Sequence, residues 1–283
     1  MRAVDHLLRA TAQAEARHFW FRGLRWFAAP LIRRAIDRQP NARILDCGCG
    51  TGANLTLLGR FGVPYGFDRS EVGLYIGRRL GRIRLVQASV TAAPFPSDGF
   101  DLVTSFDVLY ALQEPDERAA VAEMYRLTRP GGYALINVAA MEILRGDHSV
   151  LSHEVRRYSR ASLRRLVTAA GFELVRLTHT NQALFLPMLA VRALHRFRGL
   201  SNEDEAQHEI AVPPAPINAC LSALLFLESL WLRRFDGPLG SSLLCLARKP
   251  AGDRSGARAA RDGGDPESCG SAPRARTSDR SRW

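Results

Sequence analysis

The chain has 283 residues, of which 46% are hydrophobic, and a formal net charge of +11 at pH 7. Its length suits one α/β domain with insertions, because single hydrophobic cores stop growing near ~250–300 residues. Lys249 is the one lysine among 39 basic residues, and the arginines are scattered, which indicates a solvated basic surface or, as the alternative, a polyanion-binding patch.

The N-terminal forty residues (1–40) are predicted to form a helical, aromatic cap. Residues 4–11 have helical spacing, and the aromatic segment His18–Phe27 follows them. A helix is predicted to begin at Pro30, because proline suits a first helical turn, and to end before Pro40. The aromatic segment fits either a lid over a ligand or ordinary core packing.

Residues 41–250 alternate between strand and helix patterns. Strands are predicted at Arg43–Asp46, Val63–Phe67, Ile83–Gln87, Phe100–Phe106, Tyr133–Val138, Glu173–Thr178 and Ser242–Ala247. Helices are predicted at Ala53–Leu58, Glu71–Leu80, around Val121–Thr128, and after an N-cap at Ser159, the last one closed by Gly171. This alternation predicts an α/β fold with a mostly parallel sheet flanked by helices.

An insertion, residues 180–241, separates the last two predicted strands. It holds two apolar helical patterns, Leu184–Leu194 and Ile217–Arg234, and the second is apolar almost all round, so burial is expected. The insertion fits an extra core layer, a roof over an apolar pocket, a dimer interface or a peripheral membrane contact. Residues 251–283 are rich in Gly, Ser, Pro and opposite charges, which predicts a disordered tail.

No uninterrupted apolar run has the length of a signal peptide or a membrane span. The five cysteines show no zinc-binding spacing, so no metal site is predicted. Reduced thiols in a cytoplasmic protein are the simplest interpretation.

A ligand site is predicted where the first strand turns into a helix, at Asp46–Gly52. Gly48, Gly50 and Gly52 remove side chains from this turn, so a ligand can lie against the backbone near a helix N-terminus. Asp68 ends the next strand, where a carboxylate can accept hydrogen bonds from both hydroxyls of a ribose.

The same glycine spacing, completed by Ala53, also fits the dinucleotide fingerprint. An NAD(P)-dependent dehydrogenase is therefore the competing interpretation. Asp46 argues against it, because a carboxylate at that position repels a pyrophosphate but suits the ammonium group of an amino acid.

Four segments in order carry a family resemblance. They are Leu45-Asp-Cys-Gly-Cys-Gly-Thr-Gly52, Pro94-Phe-Pro-Ser-Asp-Gly-Phe-Asp-Leu-Val103, Phe106-Asp-Val-Leu109 and Leu127-Thr-Arg-Pro-Gly-Gly132. With them, residues 42–138 resemble the class I, S-adenosylmethionine-dependent methyltransferases of the small-molecule group. The resemblance implies a three-layer, Rossmann-like fold with seven strands, the last antiparallel, and S-adenosylmethionine as cofactor. The helical insertion described above falls between strands six and seven of that fold. Methyl transfer to oxygen, nitrogen or carbon of a small molecule is therefore expected, and the apolar insertion favours a partly hydrophobic acceptor.

The resemblance places residues along the cofactor. Asp46 and Gly48–Gly52 are expected to face its methionyl part, Asp68 its ribose and Arg69 its adenine. Ser89 stands where relatives often carry an acid for the adenine amino group, so the Ser89 hydroxyl or the Val90 N–H is expected to replace it. The predicted cofactor-binding residues are Asp46, Gly48, Cys49, Gly50, Gly52, Asp68, Arg69, Ser89, Val90, Phe106 and Asp107.

Methyl transfer from a sulfonium depends on alignment more than on acid–base catalysis, because the leaving group is neutral. A general base is useful when the acceptor is a hydroxyl or a protonated amine. The candidate catalytic residues His148, His153 and Tyr158 follow the fifth strand, at the sheet edge where ligands approach. A structural hydrogen bond is an equal interpretation for His153.

Two further functions stay open. The charge favours a nucleic-acid methyltransferase, although the chain has neither the Asn/Asp-Pro-Pro-Tyr segment of base-amino methylases nor an evident RNA-binding appendage. A non-catalytic S-adenosylmethionine-binding protein is the other. The sequence predicts a small-molecule partner and leaves the oligomeric state undetermined.

Overall fold

A computed structural model describes residues 11–12, 14–37, 39–144, 154–189 and 212–251. Its strands are β1 (Arg43–Cys47), β2 (Val63–Asp68), β3 (Leu85–Gln87), β4 (Phe100–Phe106), β5 (Thr128–Ala139), β6 (Glu173–Thr180) and β7 (Ser242–Arg248). They form one sheet in the order β3-β2-β1-β4-β5-β7-β6. Strand β7 pairs antiparallel with both β5 and β6, and the other pairs in this sheet are parallel. The expected seven-stranded sheet with a reversed last strand is confirmed.

Helices cover both faces of the sheet. They are α1 (Phe19–Ala35), α2 (Leu55–Leu58), α3 (Glu71–Arg79), α4 (Glu114–Leu127), α5 (Arg160–Ala169) and α6 (Ala215–Trp231), with short 3-10 turns at Leu109–Ala111 and Glu142–Leu144. Neighbouring strand residues point to opposite faces. Ile44 accordingly packs beneath α1 and α6, and Leu45 packs beneath α4 and α5. The three-layer α/β architecture is confirmed.

The predicted cap of α5 is also confirmed. Ser159 and Ser162 form a reciprocal capping box at the start of the helix. Gly171 follows the helix with a φ of +98°, a conformation that glycine adopts without steric cost.

Helix α1 begins eleven residues earlier than predicted, so the prediction of a start at Pro30 is wrong. His18 caps the helix, because its Nδ1 accepts a hydrogen bond from the Trp20 N–H at 3.2 Å. Pro30 lies inside the helix, at a cost of about 3 kcal/mol. Burial of neighbouring side chains such as Leu31 and Ile32 contributes about 1.5–3 kcal/mol each and outweighs this cost.

The aromatic segment of the sequence is therefore the first half of α1. Phe19, Trp20 and Trp26 pack against the core cluster between α1 and the sheet. The interpretation of this segment as core packing agrees with the position of these side chains, and its role as a lid over a ligand stays a prediction.

Helix α6 lies parallel beside α1. The N–H of Phe19 donates to Asn218 Oδ1 at 2.9 Å, and the rings of Trp26 and Phe226 meet edge to face at 5.4 Å. Gly23 allows this approach, because a Cβ at that position would lie 2.6 Å from Leu225 Cδ1.

The expected burial of α6 is found on one side of the helix. Its inner side is buried, with Leu225 fully inaccessible, whereas Leu227 is 62% exposed on the outer side. The outer side also exposes Ile217, Leu224, Phe226, Leu230 and Trp231. Among the described residues, no helix is long and apolar enough to cross a membrane.

Several predictions fall outside the described residues. They concern the helix over residues 4–11 except Thr11, much of the insertion (residues 190–211), and the tail from residue 252 onward.

Candidate functional site

Three aspartates lie at the carboxyl ends of adjacent strands. Asp46 is in β1, Asp68 ends β2, and Asp107 directly follows β4. The strand order reverses between β1 and β4, which creates a crevice at this edge of the sheet. Ligands of open α/β sheets bind in such a crevice.

Asp46 is the most deeply buried of the three, with 1% of its surface exposed. Its Oδ1 accepts a hydrogen bond at 2.7 Å from the hydroxyl of Thr104, its register partner in β4. Its Oδ2 is buried and has no hydrogen-bond partner among the described residues. Burial, and to a lesser degree the charge of Asp68, raises the pKa of Asp46 to about 7, against the opposing effect of the Thr104 hydrogen bond.

The glycine loop after β1 has a backbone that side chains would disrupt. Gly48, Gly50 and Gly52 all have positive φ, at 76°, 56° and 78°. A Cβ on Gly48 would lie 2.5 Å from Val108 Cγ2, so the backbone passes close to the segment after β4. This loop leaves backbone atoms as the surface available to a ligand.

Asp68 is hydrogen-bonded to the same loop. Its Oδ2 accepts from the Gly50 N–H at 2.7 Å, and its Oδ1 accepts from the Ser70 N–H at 2.8 Å. Burial raises its pKa, while these backbone N–H groups lower it. The Arg69 N–H is a third backbone donor to this carboxylate. Since a carboxylate has about four acceptor sites, Asp68 retains capacity for a hydroxyl of a ligand.

The residues predicted near the adenine surround the end of β3. Arg69 is exposed, and its carbonyl oxygen accepts from Gln87 Nε2 at 3.2 Å. The Ser89 hydroxyl lies 2.8 Å from Thr91 Oγ1, and Val90 packs partly buried against the core. These side chains are brought to the same edge of the sheet as Asp68.

Asp107 has a left-handed backbone, with φ at +60°. Its Oδ1 accepts a hydrogen bond at 2.9 Å from Asn137 Nδ2, at the end of β5. Burial raises the pKa of Asp107 to about 7, Asn137 opposes this shift, and the charge of Glu154 adds to it. A carboxyl group that titrates near neutrality suits proton transfer.

Two predicted cofactor residues direct their side chains into the core. Phe106 packs in the cluster beneath α1 and α6. Cys49 packs with Leu55, Leu74 and Leu85, and burial raises the pKa of its thiol well above the usual value. The contact of these two residues with a cofactor stays a prediction, and their backbone is the part best placed to make it.

Of the three candidate catalytic residues, only Tyr158 lies within the described residues. It is buried, and its hydroxyl donates a hydrogen bond to Glu117, which also accepts from Arg156 Nη1 at 2.6 Å. Burial and the carboxylate of Glu117 raise the pKa of Tyr158. This arrangement favours an anchoring role for the phenol, and its part in catalysis stays a prediction. His148 and His153 lie outside the described residues.

Sequence reasoning did not find three site residues: Thr104, Asn137 and Glu15. Thr104 and Asn137 reach the aspartates through strand register. Glu15 reaches the glycine loop from the N-terminal segment, where its carboxylate accepts from the Thr51 hydroxyl. Only Glu15 had a signal in the sequence, because it lies three residues before the aromatic segment that was singled out.

The residues present fit S-adenosylmethionine. The unpartnered Oδ2 of Asp46 needs a donor, and an ammonium group supplies one with the opposite charge. Asp68 retains acceptor sites for ribose hydroxyls. A pyrophosphate would instead place negative charge beside these two carboxyl groups.

A family model described as a methyltransferase domain matches residues 14–177. The chain belongs to this family. The resemblance to methyltransferases found in the sequence is thereby confirmed.

Curated relatives of this methyltransferase domain match it over part of their length. The demethylmenaquinone methyltransferase of Geobacillus kaustophilus (strain HTA426) is 35% identical over 112 residues, 36% of this chain and 47% of that protein. A ubiquinone/menaquinone biosynthesis C-methyltransferase of Shewanella halifaxensis (strain HAW-EB4) is 30% identical over 134 residues, 43% of this chain and 50% of that protein. The chain thus spans about half the length of these relatives.

The fold is shared with solved methyltransferase structures. Phosphoethanolamine N-methyltransferase 2 of Haemonchus contortus, in complex with S-adenosyl-L-methionine, matches with a TM-score of 0.54 at 16% identity. The match covers 87% of this chain and 57% of that one. At this identity the likeness concerns the fold alone.

Proposed function

We propose that this methyltransferase domain binds S-adenosylmethionine and transfers its methyl group to a small, partly hydrophobic molecule. The observation that carries the proposal is Asp46 Oδ2, a buried acceptor beside the glycine loop without a partner among the described residues. When bound, the cofactor supplies a methyl group activated by a positively charged sulfonium.

Each part of the site has a role in this proposal. Asp46 holds the methionyl ammonium group, and the incoming positive charge favours the ionised carboxylate. Asp68 accepts the ribose hydroxyls, and the backbone of the glycine loop lies along the methionyl chain. Arg69 and the Ser89–Val90 turn adjoin the adenine.

The acceptor is proposed to approach over the carboxyl ends of β4 and β5. The relatives include a demethylmenaquinone methyltransferase and a ubiquinone/menaquinone biosynthesis C-methyltransferase, which supports a partly hydrophobic acceptor. Asp107 accepts a hydrogen bond from Asn137, and its pKa is raised to about 7. It is therefore a candidate to take a proton from that acceptor, in addition to the predicted candidates His148 and His153. The four described cysteines are free thiols, which supports a place in the reducing cytoplasm.

Calorimetric titration with S-adenosylmethionine and S-adenosylhomocysteine tests the proposal. The intact protein is expected to bind both, and Asp68→Ala is expected to bind about a hundredfold more weakly, because it loses charged hydrogen bonds to the ribose. Asp101→Asn is the matched control, since Asp101 is ion-paired with Arg129 at the opposite, amino-terminal edge of the sheet.

Two outcomes would contradict the proposal. One is the failure of the intact protein to bind either compound. The other is unchanged affinity in Asp68→Ala.

A further inference from the structure

The N-terminal segment contacts the glycine loop through a buried carboxylate. The Thr51 hydroxyl lies 2.9 Å and 2.8 Å from the two carboxylate oxygens of Glu15 and donates to them. Arg82 Nη2 also donates to Glu15 Oε1, at 2.8 Å. Thr51 stands between Gly50 and Gly52, so this contact reaches the centre of the proposed cofactor loop.

Arg82 completes a closed network around Thr51. Its Nη1 donates to the carbonyl oxygen of Thr51 at 2.8 Å and to the hydroxyl at 2.6 Å. The carbonyl oxygen of Thr51 is therefore held by the guanidinium, and its hydroxyl is held by the guanidinium and Glu15 together. The side chains of Glu15 and Arg82 are 6% and 17% exposed, so water competes little for these bonds.

The segment that carries Glu15 is itself attached to the body of the domain. Arg25, in α1, donates from Nη2 to the carbonyl oxygen of Glu15 at 2.7 Å. The N–H of His18, which caps α1, donates to the carbonyl oxygen of Ala14 at 2.8 Å. These two hydrogen bonds attach the backbone around Glu15 to α1, which packs on the sheet.

The glycines on either side explain why Thr51 needs to be held. Gly50 and Gly52 have the widest choice of backbone conformations, and ordering one residue costs about 1–2 kcal/mol. A loop with this freedom presents its backbone to a ligand in one arrangement only when neighbouring groups hold it. A ligand that must order the loop loses affinity for that reason.

We infer that Glu15 is a positioning residue for the cofactor loop, acting through Thr51 and Arg82. The inference rests on the proposed function, because the loop matters as the surface along the methionyl half of S-adenosylmethionine. The carboxylate of Glu15 is engaged by Thr51 and Arg82, so we assign it an indirect role rather than contact with the reacting atoms. Its effect is on the order of the loop before the cofactor arrives.

Two ligands separate this role from a merely structural one. S-adenosylhomocysteine contains the amino-acid half that lies along the loop, and 5′-methylthioadenosine lacks it. Glu15→Gln keeps the size of the side chain and removes its charge. We expect this variant to bind S-adenosylhomocysteine about tenfold more weakly and methylthioadenosine within about twofold of the intact protein.

A second variant shows whether the effect of Glu15→Gln comes only from a loss of stability. The substitution leaves the buried guanidinium of Arg82 without its carboxylate, which is destabilising in itself. The double variant Glu15→Gln with Arg82→Met removes that charge. Because Arg82 also holds Thr51, this variant is expected to lose at least as much preference for S-adenosylhomocysteine as Glu15→Gln. Asp101→Asn, at the far edge of the sheet, is expected to keep the preference of the intact protein.

The outcomes distinguish the two proposals. If the intact protein binds neither ligand, the proposed function fails, and the inference fails with it. If the intact protein binds both, but Glu15→Gln and the double variant keep its ratio of affinities, Glu15 does not position the loop and only the inference is overturned.

Discussion

Asp46 is a buried carboxyl group that the protein alone stabilises poorly and that a positively charged ligand would stabilise. Its carboxyl group is buried, one oxygen has no partner among the described residues, and its pKa is raised to about 7. Such a site stores unfavourable free energy that a cationic ligand can release.

Replacing Asp46 with asparagine is expected to separate stability from binding. Because the folded-state pKa of about 7 exceeds the usual 3.8, the folded protein binds this proton more tightly than the unfolded chain. Stability therefore falls as pH rises from about 4 to 7, and the penalty is complete above pH 7. Asp46→Asn should raise the free energy of unfolding at pH 8 by about 1–3 kcal/mol, should not raise it near pH 4, and should weaken S-adenosylmethionine binding.

Urea unfolding at both pH values, together with calorimetry, measures these effects. Asp101→Asn serves again as the control, with a half-buried, ion-paired carboxylate at the opposite edge of the sheet. A variant that is less stable than the intact protein at pH 8 would show that the carboxylate is not under strain there.

The site residues that the sequence predicted are the ones whose positions depend on nearby residues in the chain. Asp46, Asp68 and the loop glycines follow one another along a strand–turn–helix unit, whose geometry is set by nearby residues. Thr104 and Asn137 act through the pairing of β4 with β1 and β5, and that register depends on the whole sheet. A single sequence does not contain that information in local form.

Among the elements, α1 and α6 were the hardest to predict, for opposite reasons. Pro30 suggested a helix start, but burial of the helix face outweighs the lost hydrogen bond. The apolar character of α6 predicted burial but not which side is covered, and among the described residues α1 and the sheet cover one side of it. Propensity and hydrophobicity are properties of one element, whereas the covered area depends on which elements lie beside it.

The contact between these helices makes a testable pair. Gly23→Ala adds a methyl group 2.6 Å from Leu225 Cδ1, so it should destabilise the domain by about 1 kcal/mol despite alanine's higher helix propensity. Leu225→Ala should cost about 2–5 kcal/mol, because it leaves a cavity at a fully buried position.

The double variant is the decisive comparison. The alanine methyl at position 23 should occupy part of the space left by Leu225, so the double variant should lose less stability than the sum of the two single changes. Unfolding free energies that add within about 0.3 kcal/mol would contradict direct packing between the two positions.

At the scale of the whole molecule, three aspartates lie at one edge of the sheet in a chain whose net charge is +11. Burial raises the pKa of Asp46, Asp68 and Asp107, all at the carboxyl ends of adjacent strands. A ligand with a sulfonium and an ammonium group would bring positive charge to this edge and lower those pKa values.

Proton release on cofactor binding is the most direct test of this arrangement. Calorimetric titration of the protein with S-adenosylmethionine at pH 6.5, in two buffers with different enthalpies of protonation, measures the number of protons exchanged. Most Asp46 carboxyls are protonated at this pH, so we expect a net release of roughly half to one proton, and much less in Asp46→Asn. Binding without proton release, or no binding at all, would contradict a cationic methionyl group held by Asp46.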